Sequence, residues 1–266
     1  MTSPLSRAES HRSRSEIRVV NILGVQVAAI NMADAVGRIC DWIANDERQY
    51  VCVCTVHTIM SCRRSEFLRQ VVNQAGMVTP DGMPLVWLAR LDGHSHVQRV
   101  YGPDLMLEVL ASGIRRRHFL YGGREGIAQE LAERIRHRSP TQTVVGTMTP
   151  PFAPIEQLAT SEVANAINSV EPDIVWVGMS TPKQELWMAA MRHLLSAPLL
   201  VGVGAAFDFH AGRVRQAPTW MQRAGLEWLF RLSQEPRRLW RRYLLDNPQF
   251  VFQIARQRLG LKKYEI

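Results

Sequence analysis

The side chains best suited to acid–base chemistry stand where apolar runs give way to turns. Thr79-Pro80-Asp81-Gly82 places a carboxylate on a sharp loop between the extended piece Met77–Thr79 and a helix that Pro84 leads to Leu91. An aspartate there either caps the helix or, against an apolar wall, has a raised pKa and serves as a general base. Thr55 and His57 close the strand Tyr50–Thr55. His57 reads as a base, a hydrogen-bond donor or a satisfied core histidine. Gly122 and Gly123 break the strand His118–Tyr121 before a helix, which makes either a tight turn or a backbone cradle for phosphate. Thr181-Pro182-Lys183-Gln184-Glu185 opens a helix after the strand Asp173–Gly178. Its amide and ammonium donors suit an anionic or hydroxylated ligand, and an ordinary Pro-led helix start is the alternative. Asp208 follows the last strand as a lone acid, equally at home in a structural or a functional role.

The cations are segregated. Arg213–Ile266 carries twelve Lys/Arg against four Asp/Glu, which is the whole of the chain's +8, while Met1–Gly212 is neutral. The same segment holds Trp220, Trp228, Phe230, Trp240, Tyr243, Phe250 and Phe252. With Pro236 starting a helix, Arg238, Arg241 and Arg242 fall at i, i+3 and i+4. Guanidinium forks match phosphate, and Trp and Tyr suit a membrane interface. Nucleic acid would require basic charge along the body as well, and the body is neutral, so no nucleic-acid partner is expected.

Several chemistries lack their motif. GxxxxGK[ST] and GxSxG do not occur, and neither does the Asp-x-Asp that chelates metal in many sugar-nucleotide enzymes. Gly202-Val-Gly-Ala-Ala-Phe207 nearly spells a dinucleotide fingerprint, but Phe207 replaces its third glycine. His94 and His96 are too few for a zinc site. No cofactor and no metal is expected. Cys40, Cys52, Cys54 and Cys62 include no CxxC and read as reduced core thiols of a cytosolic protein.

The elements that must hold these residues alternate in type. Residues 1–16 are polar and basic and read as a disordered tail. Ile17–Leu23 and Val25–Ile30 form a hairpin turning at Gly24, and Asn31 caps a helix to Asn45. Helices are expected at Glu66–Asn73, from Pro103 to Gly113, and at Glu125–His137, Ile155–Ser169 and Lys183–Leu195. Strands are expected at Thr143–Thr147 and Pro198–Val203. This βα order predicts an α/β, Rossmann-like, doubly wound and mostly parallel sheet, with ligands at the carboxyl ends of the strands. After Pro218 the pattern is helical only, with Pro236 and Pro248 each restarting a helix. The reading is a body over 17–212 and a helical appendage over 213–266. No apolar run reaches the ~20 residues of a spanning helix.

Taken together, Thr79-Pro-Asp-Gly-Met-Pro-Leu-Val-Trp87, Arg99-Val-Tyr-Gly-Pro-Asp-Leu105, Tyr121-Gly-Gly123, Thr181-Pro-Lys-Gln-Glu185, Gly202-Val-Gly-Ala-Ala-Phe-Asp208, Ala217-Pro218 and Leu226-Glu-Trp228 through Arg242-Tyr243 resemble the WecG/TagA/CpsF glycosyltransferases, glycosyltransferase family 26. The matches run in family order over most of the chain. The resemblance implies an inverting, metal-independent enzyme peripheral on the inner face of the bacterial cytoplasmic membrane. It would move sugar from a UDP-sugar to a sugar on polyprenyl diphosphate, in exopolysaccharide or cell-surface polysaccharide synthesis. It places the catalytic aspartate on Asp81, the strand-end threonine on Thr55, an arginine on Arg99 and a glutamine on Gln184. The appendage arginines fall on Arg231, Arg238 and Arg241. These three would face diphosphate, with Trp240, Arg242 and Tyr243 turned to the bilayer. Lys183 would also meet the diphosphate, and a homo-oligomer is compatible with the reading. Much of the family has Thr-x-Asn where this chain has Thr55-Val56-His57, so the resemblance implies a hexose or N-acetylhexosamine donor and no single sugar. A non-catalytic sugar-nucleotide or membrane-binding module is the competing class, and a nicotinamide oxidoreductase would need the glycine that Phe207 replaces.

Overall fold

The computed structural model describes residues 17–266. The chain opens with the hairpin β1 (Val19–Ile22) and β2 (Val25–Ala28), a separate two-stranded antiparallel sheet. Helix α1 (Met32–Ala44) follows. Its start is a capping box in which Asn31 accepts from the Asp34 amide and Asp34 accepts from the Asn31 amide, each at 3.1 Å. Then come β3 (Gln49–Cys54), α2 (Val56–Arg64), α3 (Glu66–Asn73), β4 (Met77–Pro80), α4 (Met83–Leu91), α5 (Gly102–Ala111), β5 (Arg117–Gly122) and α6 (Ile127–Arg138). The second half continues with β6 (Thr143–Met148), α7 (Ile155–Leu158), α8 (Ser161–Asn168), β7 (Ile174–Gly178), α9 (Lys183–Met191), β8 (Leu199–Gly202) and α10 (Ala206–His210). Four helices close the chain: α11 (Thr219–Arg223), α12 (Glu227–Gln234), α13 (Pro236–Leu244) and α14 (Asp246–Arg258).

β3 to β8 form one sheet in the order β4-β3-β8-β7-β5-β6, with every neighbouring pair parallel. Both faces are covered, so successive strand residues enter different cores. Tyr50, Cys52, Val175, Val177 and Leu200 join one apolar cluster, and Val51, Val53, Ile174, Trp176 and Val201 join the other. Cys52, Cys54 and Cys62 are buried thiols, and no cysteine is paired.

Three expectations need correction. The strand expected over Tyr50–Thr55 stops at Cys54, because Thr55 caps α2, a helix the sequence reading did not contain. Thr55 and Thr58 cap reciprocally through their hydroxyls and amides, at 3.2 and 3.3 Å. The helix expected over Ile155–Ser169 is two helices, since Thr160 turns its side chain to the Val163 amide and starts α8 afresh. Helix α9 ends at Met191, four residues before the expected end.

The C-terminal helices pack back onto the rest of the chain. Phe250 of α14 and Leu239 of α13 are buried, Phe250 within a core that includes the hairpin. Gln257 accepts from the Leu23 amide at 3.1 Å and donates to the Asn21 carbonyl at 2.9 Å, and Asn21 donates to the Tyr264 carbonyl at 2.7 Å. Among the described residues no helix is long and apolar enough to cross a membrane.

Candidate active site

All six parallel strands deliver residues to one cavity of about 1490 Å³ at their carboxyl ends. Thr55 follows β3, Asp81 follows β4, Gly123 follows β5, Thr149 follows β6, Met179 follows β7 and Gly204 follows β8. The opposite wall comes from α12, α13 and α14, through Arg231, Arg238, Arg241, Arg242 and Asp246.

Asp81 is fixed by the sheet itself. Its amide donates to the Cys54 carbonyl at 2.9 Å, extending the β3–β4 ladder by one residue. The helix cap falls on Gly82, which has no side chain to offer, so the Asp81 carboxylate is not a cap. It points instead at Arg99, whose Nη2 and Nε donate to Oδ1 at 3.1 and 3.3 Å. The residue is only 8% exposed. Burial pushes its pKa up to about 6. Arg99 opposes that shift, Glu227 adds to it, and Arg242 opposes it more weakly. A carboxylate with that value is ionised at neutral pH and is a stronger base than an exposed one.

Arg99 is shared. Nη2 also meets Glu227 Oε2 at 2.5 Å, Nη1 donates to Gln222 Oε1 at 3.3 Å, and the guanidinium lies 3.9 Å over the Tyr101 ring. Tyr101 donates its hydroxyl to Glu227 Oε1 at 2.9 Å. Two carboxylates from distant parts of the chain therefore divide one cation.

Thr55 and His57 stand on the first turn of α2 and line the cavity. The Thr55 hydroxyl accepts from Arg242 Nη2 at 3.4 Å. His57 Nδ1 lies 2.9 Å from Asp246 Oδ2, and Arg64 Nη2 holds Oδ1 of the same buried carboxylate. Burial, then the Arg242 charge, holds the His57 pKa below its ordinary value, against the pull of Asp246. A neutral ring that donates through Nδ1 leaves Nε2 as an acceptor.

Gln184 is 3% exposed and accepts from the Gly204 amide at 2.8 Å, while Gly202 lies against its amide group. Any side chain at Gly202 would collide with Gln184 at 2.5 Å, so the glycine makes the close approach possible. Lys183 donates to the Ala153 carbonyl at 2.8 Å and lies 4.0 Å over the ring of exposed Phe152, at the cavity's edge. Thr181 donates to Glu185 Oε1 at 2.8 Å, and Glu185 Oε2 is buried without a hydrogen-bond partner. Asp208, on α10, lines the same cavity.

The appendage arginines converge on this space with one change of cast. Arg231 lies 3.8 Å and Arg238 2.8 Å from Glu235, which spaces the two guanidinium groups, and Arg241 lies over Trp240 at 5.2 Å. Arg242, expected to face outward with Trp240, is turned inward instead. Placing Leu239 in the core rotates α13 so that Arg242 reaches Thr55. The Nε atoms of Arg231 and Arg242 are buried with no hydrogen-bond partner. Such donors cost free energy unless an acceptor, such as a phosphate oxygen or water, meets them. Tyr243 packs against Trp228 with ring centroids 6.0 Å apart.

Gly122 ends β5 and Gly123 follows it, and between the two readings of this pair the backbone here makes the tight turn. Gly122 has φ +129° and does not line the cavity, and a Cβ there would meet the Gly178 carbonyl at 2.5 Å. The Gly123 amide is taken by the same carbonyl at 2.9 Å. Both glycines bring β5 and β7 together, although Gly123 still forms part of the cavity wall. Phe207 packs on Gly123 and Gly178 where a fingerprint glycine would stand. Among the described residues no group of three or more His, Cys, Asp or Glu side chains is placed to hold a metal ion.

Sequence reasoning did not assign Glu227, Tyr101 or Asp246 to the site. Glu227 and Tyr101 sit inside the motifs quoted above, but their partners are remote in the chain. Asp246 carries no local signal at all.

The pattern of the Glycosyl transferase WecG/TagA/CpsF family matches residues 20–264. An N-acetylglucosaminyldiphosphoundecaprenol N-acetyl-beta-D-mannosaminyltransferase of Bacillus subtilis (strain 168) is 29% identical over 196 residues, 73% of this chain and 74% of the relative. The protein of the same description from Bacillus spizizenii (strain ATCC 23059 / NRRL B-14472 / W23) is 33% identical over 183 residues, 68% of each chain.

Proposed function

The chain belongs to the WecG/TagA/CpsF glycosyltransferase family, and from that premise we propose that it transfers a hexose or N-acetylhexosamine from a UDP-sugar to a sugar carried on polyprenyl diphosphate. The two Bacillus relatives are named for transfer of N-acetylmannosamine to such a lipid-linked acceptor. One observation carries the reading: a buried carboxylate with pKa about 6, Asp81, faces the same cavity as the arginines of α12 and α13.

The chemistry is a single displacement. Asp81 removes the proton from the acceptor hydroxyl as that oxygen attacks the anomeric carbon. The bond from that carbon to the UDP oxygen breaks, and the configuration inverts. A positioned base contributes about 10²–10⁴ in rate. The departing diphosphate gains charge, which Arg231, Arg238, Arg241 and Arg242 meet electrostatically, with Lys183 at the rim. The buried, unpartnered Nε atoms of Arg231 and Arg242 support that assignment. Thr55 and Gln184 position sugar or diphosphate, and Asp208 orients the nucleotide.

The lipid-linked acceptor calls for contact with the membrane surface. Trp240, Leu244, Val251, Phe252, Leu259 and Leu261 are exposed among Arg256, Lys262 and Lys263. This mixture of apolar and cationic side chains suits an anionic bilayer face. The enzyme then works at the cytoplasmic leaflet.

A UDP-release screen across several UDP-sugars, with a polyprenyl-diphosphate-linked sugar as acceptor, tests the proposal. Acceptor-dependent release from at least one donor is the expected result. Binding of UDP-sugars with no release from any of them would make the chain a binding module.

A further inference from the structure

Glu227 stands on α12, 128 residues from Arg99, and has no role in the displacement just described. Its two oxygens are both engaged. Oε2 takes Arg99 Nη2 at 2.5 Å, and Oε1 takes the Tyr101 hydroxyl at 2.9 Å. The same Nη2 is 3.1 Å from Asp81 Oδ1, so the shorter of its two contacts is to Glu227. The side chains are largely buried, at 12% exposure for Asp81, 15% for Glu227 and 17% for Arg99, so solvent does little to screen the contest. Gln222 of α11 takes the other terminal nitrogen of Arg99 at 3.3 Å.

We propose that Glu227 is a positioning residue for the general base, drawing the Arg99 guanidinium toward α12 so that the Asp81 carboxylate is left able to accept a proton. This rests on the transferase reading above. An aspartate paired to an arginine alone would be a weak base, because the cation stabilises its ionised form. A second carboxylate on the far side of that arginine offsets the cation. It also fixes the guanidinium in the plane where it can still donate to Asp81. The charged and titratable groups around Asp81 are Arg99, Tyr101, Glu227 on α12, Arg242 on α13 and the Cys54 thiol of β3. Around Glu227 they are Arg99, Tyr101 and, on α5, Asp104. Of these, Glu227 is the carboxylate in direct contact with the cation that Asp81 also holds.

The test is Glu227→Gln, which keeps the shape and can still accept from Tyr101. Two measurements are made: the pH profile of kcat/KM, and the carboxyl titration of Asp81 followed by carbon-13 NMR in the unliganded protein. The expected result is an acid limb and an Asp81 titration that both move to lower pH, with kcat at pH 8 reduced about tenfold. KM for the donor should stay within about twofold. An unmoved Asp81 titration in a folded variant overturns the proposal, as does a loss of kcat with the acid limb in place, since that pattern belongs to a merely structural contact. Should Glu227→Gln fail to fold, Tyr101→Phe reports instead. Without the Tyr101 hydroxyl, Glu227 Oε1 loses its donor and the carboxylate's charge bears more fully on Arg99, so Asp81 should titrate higher; an Asp81 titration unchanged by it overturns the proposal. The NMR titration needs no turnover. A wild-type protein with no transferase activity would therefore refute the function without touching this result.

Discussion

His57 on α2 and Asp246 at the head of α14 lie 189 residues apart in the chain and meet at 2.9 Å on the wall of the cavity. Asp246 is buried and also holds Arg64, so one carboxylate orients the imidazole and secures the last long helix. Asp246→Ala should remove hydrogen bonds to charged groups worth about 1.5–3 kcal/mol. The expected fall in Tm is roughly 3–10 °C for a chain of this size. Loss of the imidazole's anchor on the cavity wall should also raise KM for donor or acceptor. Thermal melts and donor and acceptor saturation curves measure both, and an unchanged Tm would mean that the pair does not secure α14.

Asp81→Asn should lower kcat by about 10²–10⁴ while UDP affinity stays within a few-fold, because the substitution removes a proton acceptor and keeps the shape. Single-turnover assays beside UDP titration calorimetry separate the two effects. Turnover within threefold of the parent would remove Asp81 as the base.

The same residue ties activity and stability to pH. Its pKa of about 6 predicts that kcat/KM falls as pH drops through 6, where the base becomes protonated. The stability sign follows from linkage. The folded pKa lies above the ordinary 3.8, so the native state holds this proton more tightly than the unfolded chain does. That contribution is complete below about pH 4 and is lost as pH rises through 6, by up to about 3 kcal/mol. Asparagine cannot ionise. The Tm of Asp81→Asn relative to the parent should therefore climb between pH 4 and pH 7, and a flat difference in calorimetry would contradict a buried carboxylate.

Arg242 and Trp240 are two residues apart and should fail differently. Arg242→Ala removes a cation beside Thr55 and should reduce turnover about 10²-fold, leaving vesicle flotation unchanged. Trp240→Ala, at a 44% exposed position, should weaken flotation on anionic vesicles and spare turnover with a soluble acceptor. Reversal of the two phenotypes would restore the outward placement of Arg242. Turnover should also persist in excess EDTA on the proposal that side-chain cations meet the leaving group.

Most of the sheet was readable in the sequence because β4, β5, β7 and β8 are apolar runs next to Gly, Pro or Asp, as in Asp173–Gly178. Helix α2 was not, because its capping box uses Thr58 where the recognisable pattern has Glu or Gln. Asp81 and Thr55 after strand ends and Gln184 at a helix start were legible as candidate site residues, and all three line the cavity. The contacts of Glu227 and Asp246 were not, since nothing local in a helix records a partner 128 or 189 residues away. The facing of Arg242 turned on whether Leu239 or Trp240 entered the core. Both are apolar neighbours on one helix, and only packing chooses between them.

The last parallel strand ends at Gly202, whereas Arg99, Thr55 and His57 each have a further partner that comes later, at Glu227, Arg242 and Asp246 respectively. Synthesis therefore imposes a timetable. A ribosome that has delivered every strand has made the scaffold and half of each of these contacts, and sugar transfer has to wait for the final stretch of translation. A nascent chain halted before Glu227 would display open strand ends, with Arg99 paired to Asp81 and not to Glu227.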